Sequence, residues 1–398
     1  MSHSPPSLFT TVRSFPPAVW FLFLGSFLNK FGTFVVPFLT LHMMDKGYPK
    51  SQIGIVIGAY GVGNLISSAV GGQLADSFGR RKTIVLSMVL RAVGILALSQ
   101  ANTFVSLLTL TLLVGFSGEM YRPAASALLM DLVPEEQRAA AFATYRVAFN
   151  AGWMFGPATA GLLASHSWIW LFVGDAVTCL LFAVVAWFAL PKGVKASEAS
   201  RGWWTAIGII RKDRAYLMFL LALFGPGMIL MQTHAAYSTY IVQDLGFNKK
   251  VYGYLLSMNG LLIILCELPI TSVTQRFPIR RVMALGFALL GIGLAMSGLN
   301  GSLVMLATAM AIMTLGEMIA FPLTGSFVSK LAPPDMRGRY VGGNGCVWSI
   351  SMIFGPALGL MLYGQHPAVF WWACAAAGLI SAAIILIEPD KKSSVREE

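Results

Sequence analysis

The sequence predicts an all-α membrane protein: twelve transmembrane helices in two pseudo-symmetric six-helix bundles. Three observations carry this. Of 398 residues, 56% are hydrophobic and only 11% charged, where a soluble domain carries roughly 25% charged residues; a chain this apolar needs lipid as part of its solvent. Apolar runs of spanning length recur twelve times along the chain. The second half repeats the first at a constant offset of 199 residues.

A spanning helix takes about 20 mostly apolar residues. The runs fall near 18–43, 52–75, 82–101, 103–131, 138–165, 167–190, 215–243, 251–275, 281–299, 302–330, 339–363 and 367–388. Lipid leaves no partner for free backbone groups, so only helices or a closed barrel can cross it. Continuous runs without period-two alternation choose helices.

Lys and Arg in the loops set the orientation. With the N-terminus inside, the inner loops hold Arg80, Arg81, Lys82, Arg138, Lys192, Arg211, Arg214, Arg280, Arg281, Lys330 and Arg337, among others. The outer loops hold only Lys46, Lys50, Lys249 and Lys250. Both termini are therefore expected in the cytoplasm, with the protein multi-pass in a cytoplasmic (inner) membrane. The net charge of +11 is spread through these loops and forms no basic domain, so no nucleic-acid partner is expected. Cys179, Cys266, Cys346 and Cys374 lie in apolar stretches without paired spacing and read as small buried residues.

The polar interval 192–214 divides the chain into halves 1–191 and 215–398. Its Trp203, Trp204, Ile207, Ile209 and Ile210 suit either an amphipathic helix on the inner membrane face or an irregular linker. Across this divide Gly47, Tyr48 and Gly54 reappear as Gly246, Phe247 and Gly253. Phe78, Arg81 and Lys82 reappear as Phe277, Arg280 and Arg281, and Pro134 and Arg138 as Pro333 and Arg337. Phe155-Gly156-Pro157 returns as Phe354-Gly355-Pro356, and Glu119-Met120 as Glu317-Met318 at an offset of 198. An even number of helices per half keeps the halves parallel, related by an axis along the membrane normal.

After the second run comes Gly72-Gln-Leu-Ala-Asp76-Ser-Phe-Gly79-Arg80-Arg81-Lys82. Gly72 would admit a close helix approach, Gly79 a sharp turn, and Asp76 a pairing with Arg80 or a helix N-terminus. The segment resembles the signature loop of the major facilitator superfamily. That resemblance implies the major facilitator fold and a latch between the halves, completed by an acid at the inner end of the fourth helix, here Asp131. The second copy has Gln275 and Pro278 in place of the acid and the glycine, which implies a weaker latch.

On the fifth helix, Gly152, Gly156, Pro157 and Gly161 form a second pattern, similar to that of the drug:proton antiporter (multidrug efflux) branch, where it goes with export. A plain packing face with a proline kink would read the same, and the copy at Gly355-Pro356 favours packing. The fourth helix lacks the Arg that many such exporters carry in Leu112–Glu119, and the first reads Asn29-Lys30-Phe31-Gly32 where others have an acid.

Charges within spans are functional candidates by default. Lys30, Glu119, Arg122, Arg146 and Glu317, with His234, are the proton-coupling and cavity candidates; the family places helices one, four, seven and ten around the central cavity. Lys30 and Glu119 each lie about twelve residues from the inner end of their helix, so they can meet near mid-membrane, and Glu119 and Arg122 share a helix face. Glu119 is thus either a titratable carboxylate or part of a static ion-pair network. Glu317 has no Lys or Arg in its own helix core. Arg91 and Asp175 lie on peripheral helices, where a structural role is expected. Gln232, Tyr237 and Tyr240 accompany His234, and Asn259 and Glu267 are weaker candidates.

The expectation is a monomeric secondary transporter without cofactor or metal, driven by a proton or other ion gradient, that exports lipophilic or amphiphilic small molecules by rocker-switch alternating access. A proton-coupled carrier of a polar metabolite (sugar, peptide or organic anion) is the alternative, favoured by the basic excess of Lys30, Arg91, Arg122 and Arg146. A non-transporting receptor or scaffold is more distant. No nucleotide loop, nucleophile motif or metal spacing suggests an enzyme.

Overall fold

A computed structural model describes residues 8–192, 211, 213–333 and 337–387. The amphipathic helix considered for 192–214 falls on 193–210 and 212, outside the described residues. Among the described residues there is no strand, and twelve long helical stretches follow one another. They are the first, Pro17–Asp45; second, Lys50–Ser77; third, Arg80–Ser99; fourth, Phe104–Leu132; fifth, Arg138–His166; and sixth, Trp168–Ala189. After the linker come the seventh, Arg214–Asp244; eighth, Lys249–Thr274; ninth, Ile279–Met296; tenth, Leu303–Leu331; eleventh, Arg337–Gln365; and twelfth, Pro367–Ile387. Each overlaps a predicted run.

Ten of these are long and apolar enough to span a membrane on their own, and the second qualifies as a bent pair, Lys50–Ser67 with Val70–Ser77. The fifth falls short. It is rich in Gly and Ala and carries Arg138, Arg146, Asn150 and Pro157, because it packs by small residues more than by apolar bulk. Phe188, Val304 and Trp372 are 81%, 77% and 72% exposed; large apolar side chains turned outward are what a helix in contact with lipid presents.

The repeat is visible in local geometry. Gly47 and Gly246, 199 residues apart, both adopt positive φ, +81° and +70°, which glycine does without steric cost. Thr103 and Ser302 each cap the helix that follows, accepting a hydrogen bond from the N–H of Ser106 and Met305 and so satisfying one donor of the exposed first turn.

The chain divides by contacts into two compact units. One holds Met1–Glu198 with Tyr237–Ile264, the other Ala199–Ala236 with Leu265–Glu398. In the first unit the second helix packs on the fourth, the third on the sixth, and the first on the fifth and sixth. A buried cluster including Leu22, Met88, Tyr121, Leu128 and Phe182 fills the space among them. In the second unit the ninth helix packs on the tenth and twelfth, and Arg214–Gln232 packs on the eleventh and twelfth.

Two helices expected to be continuous are interrupted. The first is helical over Pro17–Phe31 and again over Val35–Asp45. The seventh stops at Gln232, turns through Thr233, His234 and Ala235, and resumes at Ala236, ending in a π-helical stretch Tyr240–Asp244. The fourth also breaks, at Met120. Its cause is in the sequence: Pro123 has no N–H for the carbonyl of Glu119, four residues earlier, and its ring crowds that carbonyl.

Candidate functional site

The break in the fourth helix carries Glu119 as the last residue of its first segment. The break in the first helix puts Lys30 in the last turn of Pro17–Phe31, where the negative end of the helix dipole favours a cation. These two ends meet. Lys30 Nζ lies 3.3 Å from Glu119 Oε1, with both residues 9% exposed. Arg122 Nη1 lies 3.1 Å from Glu119 Oε2, one turn along the same helix. The Phe149 ring supports both cations from the fifth helix, 4.7 Å from Lys30 Nζ and 5.5 Å from the Arg122 guanidinium carbon. A cavity of about 240 Å³ opens on Glu119 and Arg122, lined also by Asn64, Pro123 and Ser126. The ion cluster beside it holds two cations, Lys30 and Arg122, to one carboxylate, and of the two cations Arg122 lines the cavity.

Behind this cluster lies a second pair. Arg91 Nη2 is 3.4 Å from Asp175 Oδ1, and the residues are 1% and 0% exposed. The other Asp175 oxygen accepts from the backbone N–H groups of Phe34 and Val35, at 3.2 and 3.1 Å. Both lie where the first helix restarts, and the Phe34 N–H is shared with the Gly32 carbonyl at 2.7 Å. Arg91 passes so near Gly118 that a Cβ there would sit 2.3 Å from Arg91 Nη1.

The fifth-helix pattern is the floor under Lys30. A Cβ at Gly152 would stand 2.7 Å from the Phe31 nitrogen and 2.9 Å from Lys30 Cβ, and one at Gly156 would stand 2.7 Å from the Phe31 carbonyl oxygen. Gly161 makes a similar approach to Lys249 and Lys250. Beyond the Pro157 kink, Ala158 N–H donates to Ser257 Oγ at 2.8 Å.

In the signature loop, Gly79 has φ +98° and makes the expected turn. Arg80 is ion-paired with Asp131 and donates to the Ala127 carbonyl at 2.8 Å. Asp76, weighed as its partner, is exposed and also acts on Arg80 through its charge. The helix approach expected at Gly72 belongs to Gly71, whose added Cβ would meet the Met120 backbone at 2.8 Å; at Gly72 it would meet nothing within 4 Å. Arg81 donates to the Trp187 and Leu190 carbonyls and lies over the Trp187 ring.

Arg146 is exposed on the fifth helix. His234 sits half-buried in the turn that interrupts the seventh helix. Glu317 is half-buried on the tenth. Packing corrects its pairing with Glu119. Gly94 packs on Val114 as Gly293 does on Met313, and Ser87 meets Ser117 as Gly286 meets Gly316. All four matches are 199 residues apart, so the counterpart of Glu119 is Met318, and that of Glu317 is Gly118.

Reading along the chain missed Asn64, Ser126 and Phe149, which no local pattern marks. It also missed a cluster in the first unit, where Lys249 Nζ pairs with Asp45 at 2.6 Å and lies 4.2 Å over the Trp168 ring, whose N–H donates to Asp45 at 3.0 Å. The breaks did leave a signal: Gly32-Thr33 in mid-run and Pro123 after Glu119.

Interrupted spanning helices, with charged side chains gathered where the first and fourth break, are features of membrane transporters. The sequence pattern of the Major Facilitator Superfamily matches residues 22–236 and 231–398, and the chain belongs to that family. Among its relatives, a Na(+), Li(+), K(+)/H(+) antiporter of Planococcus maritimus is 27% identical over 83% of this chain and 85% of its own length. The multidrug resistance protein MdtH of Aeromonas salmonicida is 25% identical over 81% of this chain and 82% of its own. In fold, the chain resembles the peptide transporter POT in complex with sulfate, with TM-score 0.79 and 18% identity, covering 96% of this chain and 98% of that one. It likewise resembles a D-xylose-proton symporter, with TM-score 0.75 and 14% identity over 97% and 99%. Family and fold are those of transporters and not of enzymes.

Proposed function

We propose that the protein is a proton-coupled antiporter of a cytoplasmic membrane, with both termini cytoplasmic, that exports a lipophilic or amphiphilic solute. The observation that carries this is Glu119, a buried carboxylate held between Lys30 and Arg122 at the junction of two broken helices and open to a cavity. Ionised, Glu119 ties the first helix to the fourth. Protonated, it releases Lys30, and the two helix segments lose their tie. A proton then biases alternating access to the degree that its affinity differs between the two facing states. Support for exchange and export comes from relatives whose names are antiporter and multidrug resistance protein.

A second reading rests on the surplus cation of the Lys30, Glu119 and Arg122 cluster beside the cavity. An anionic or polar metabolite would complete the charge balance of Lys30 and Arg122, with the proton carried in symport. The test is flux in proteoliposomes under an imposed pH gradient. The panel is tetraphenylphosphonium, ethidium, Na⁺, K⁺, a sugar and a dicarboxylate. Proton release driven by a lipophilic cation and lost in Glu119→Gln supports export of amphiphiles. Release driven only by Na⁺ or K⁺ moves the substrate class to alkali cations. A response confined to the sugar or dicarboxylate overturns the antiport reading.

A further inference from the structure

Arg91 and Asp175 have no part in the cavity, yet they are the most deeply buried ion pair among the described residues. A structural pair on the third and sixth helices would need only each other. Asp175 does more. It spends one oxygen on Arg91 and the other on the N–H groups of Phe34 and Val35, the first donors after the break in the first helix. Thr178, one turn on, presses its side chain against Gly32 so closely that a Cβ there would overlap it. The sixth helix therefore grips the first on the far side of the break from Lys30, four residues from that side chain's own position. Arg91, held by Asp175, runs against Gly118, next to Glu119. Both partners of the Lys30–Glu119 contact are thus braced by one pair.

We propose that Asp175, with Arg91, is the positioning residue of the ion cluster: its carboxylate holds the restart of the first helix and so sets where Lys30 meets Glu119. This rests on Glu119 being the titrating carboxylate. The charged and titratable groups facing Glu119 are Lys30 from the first helix, Tyr60 from the second, Arg91 from the third, Arg122 and Tyr121 from its own, and Tyr145 from the fifth.

The test compares two double variants of the full chain in lipid nanodiscs. Arg91→Met with Asp175→Leu removes the pair and the acceptor. Arg91→Met with Asp175→Asn removes the same two charges and keeps an oxygen for the Phe34 and Val35 N–H groups. Neither leaves a buried charge unpaired, so both are expected to fold, which size exclusion and thermal melting check. Two readouts follow. One is the pH midpoint of dicyclohexylcarbodiimide labelling at Glu119, located by mass spectrometry; the reagent takes the protonated carboxyl. The other is amide exchange at Phe34 and Val35. With the acceptor lost, the midpoint rises by about one pH unit, a tenfold gain in proton affinity, and the Val35 amide loses protection, while Phe34 keeps its bond to the Gly32 carbonyl. With the acceptor kept, both stay near the unmodified chain. If the two variants label and exchange alike while Glu119 still titrates, the positioning role is overturned and the proposed function stands. If Glu119 labelling shows no titration in the unmodified chain, the proposed function fails, and this role with it.

Discussion

In the first repeat the interrupted helix ends on Lys30 and restarts under the Asp175 carboxylate. In the second, the interruption after Gln232 is closed by neutral groups. Gln232 donates to the Gly355 carbonyl at 2.8 Å, and its amide fills the space beside Gly359. The contrast runs through the whole site. At 199 residues on, Lys30, Arg91, Glu119 and Asp175 become Ile229, Leu290, Met318 and Cys374, which are 1%, 0%, 4% and 6% exposed. Arg122 over Phe149 becomes Phe321 edge-on to Trp348 at 5.1 Å. One backbone plan is built twice, once around buried charge and once around apolar packing. The second copy shows that the plan does not need the charges. Buried ion pairs add little to stability over well-packed apolar groups, so the charges of the first copy are there for something other than folding.

The most drastic way to break this comparison is to write the second repeat into the first. Lys30→Ile, Arg91→Leu, Glu119→Met and Asp175→Cys together should give a folded protein, as stable as the parent or up to about 4 kcal/mol more so, with gradient-driven flux at background. Failure to fold, judged by thermal melting and size exclusion, would mean the charges are structural after all. Next in size is the single change Asp175→Ala, which strands Arg91 in the interior. It should cost about 3–5 kcal/mol in a denaturant titration, whereas Cys374→Ala, its counterpart, should cost no more than about 2 kcal/mol.

A smaller effect sharpens the comparison at the fifth and eleventh helices. An added methyl at Gly156 meets backbone, the Phe31 carbonyl oxygen at 2.7 Å, and at Gly355 it meets Met231 Cβ, an atom fixed to the backbone, at 2.8 Å. Gly156→Ala and Gly355→Ala should therefore each destabilise by about 1–3 kcal/mol in a denaturant titration, so at this position the charged and the apolar copy should behave alike. The smallest is Gly72→Ala. With open space around the added carbon, its melting curve should match the parent within about 0.5 kcal/mol, although the position belongs to the signature loop.

Hydrophobic length and loop charge made the twelve helices legible, because lipid demands an unbroken apolar surface of fixed thickness. Duplication made the repeat legible, since Gly47 and Gly246 need the same backbone freedom wherever the fold is copied. Within the site, Glu119 with Arg122 could be read from helical spacing, and Lys30 from depth alone. Asp175 could not: its partners are backbone N–H groups more than a hundred residues away, and a backbone donor has no sequence signature.

The sequence by itself determined the class of protein, the number and order of its helices, the two-fold repeat and the presence of charges at membrane depth. These follow from composition and period, which act locally. Which residues end and restart the first and seventh helices, that Asp175 holds the restart of the first, and that Met318 stands where the second repeat would have a carboxylate came from the packing of the folded chain. Each of those depends on which side chains meet across helices, where a shift of one residue, such as that between offsets of 198 and 199, turns a side chain by about 100° on the helix and changes its neighbours.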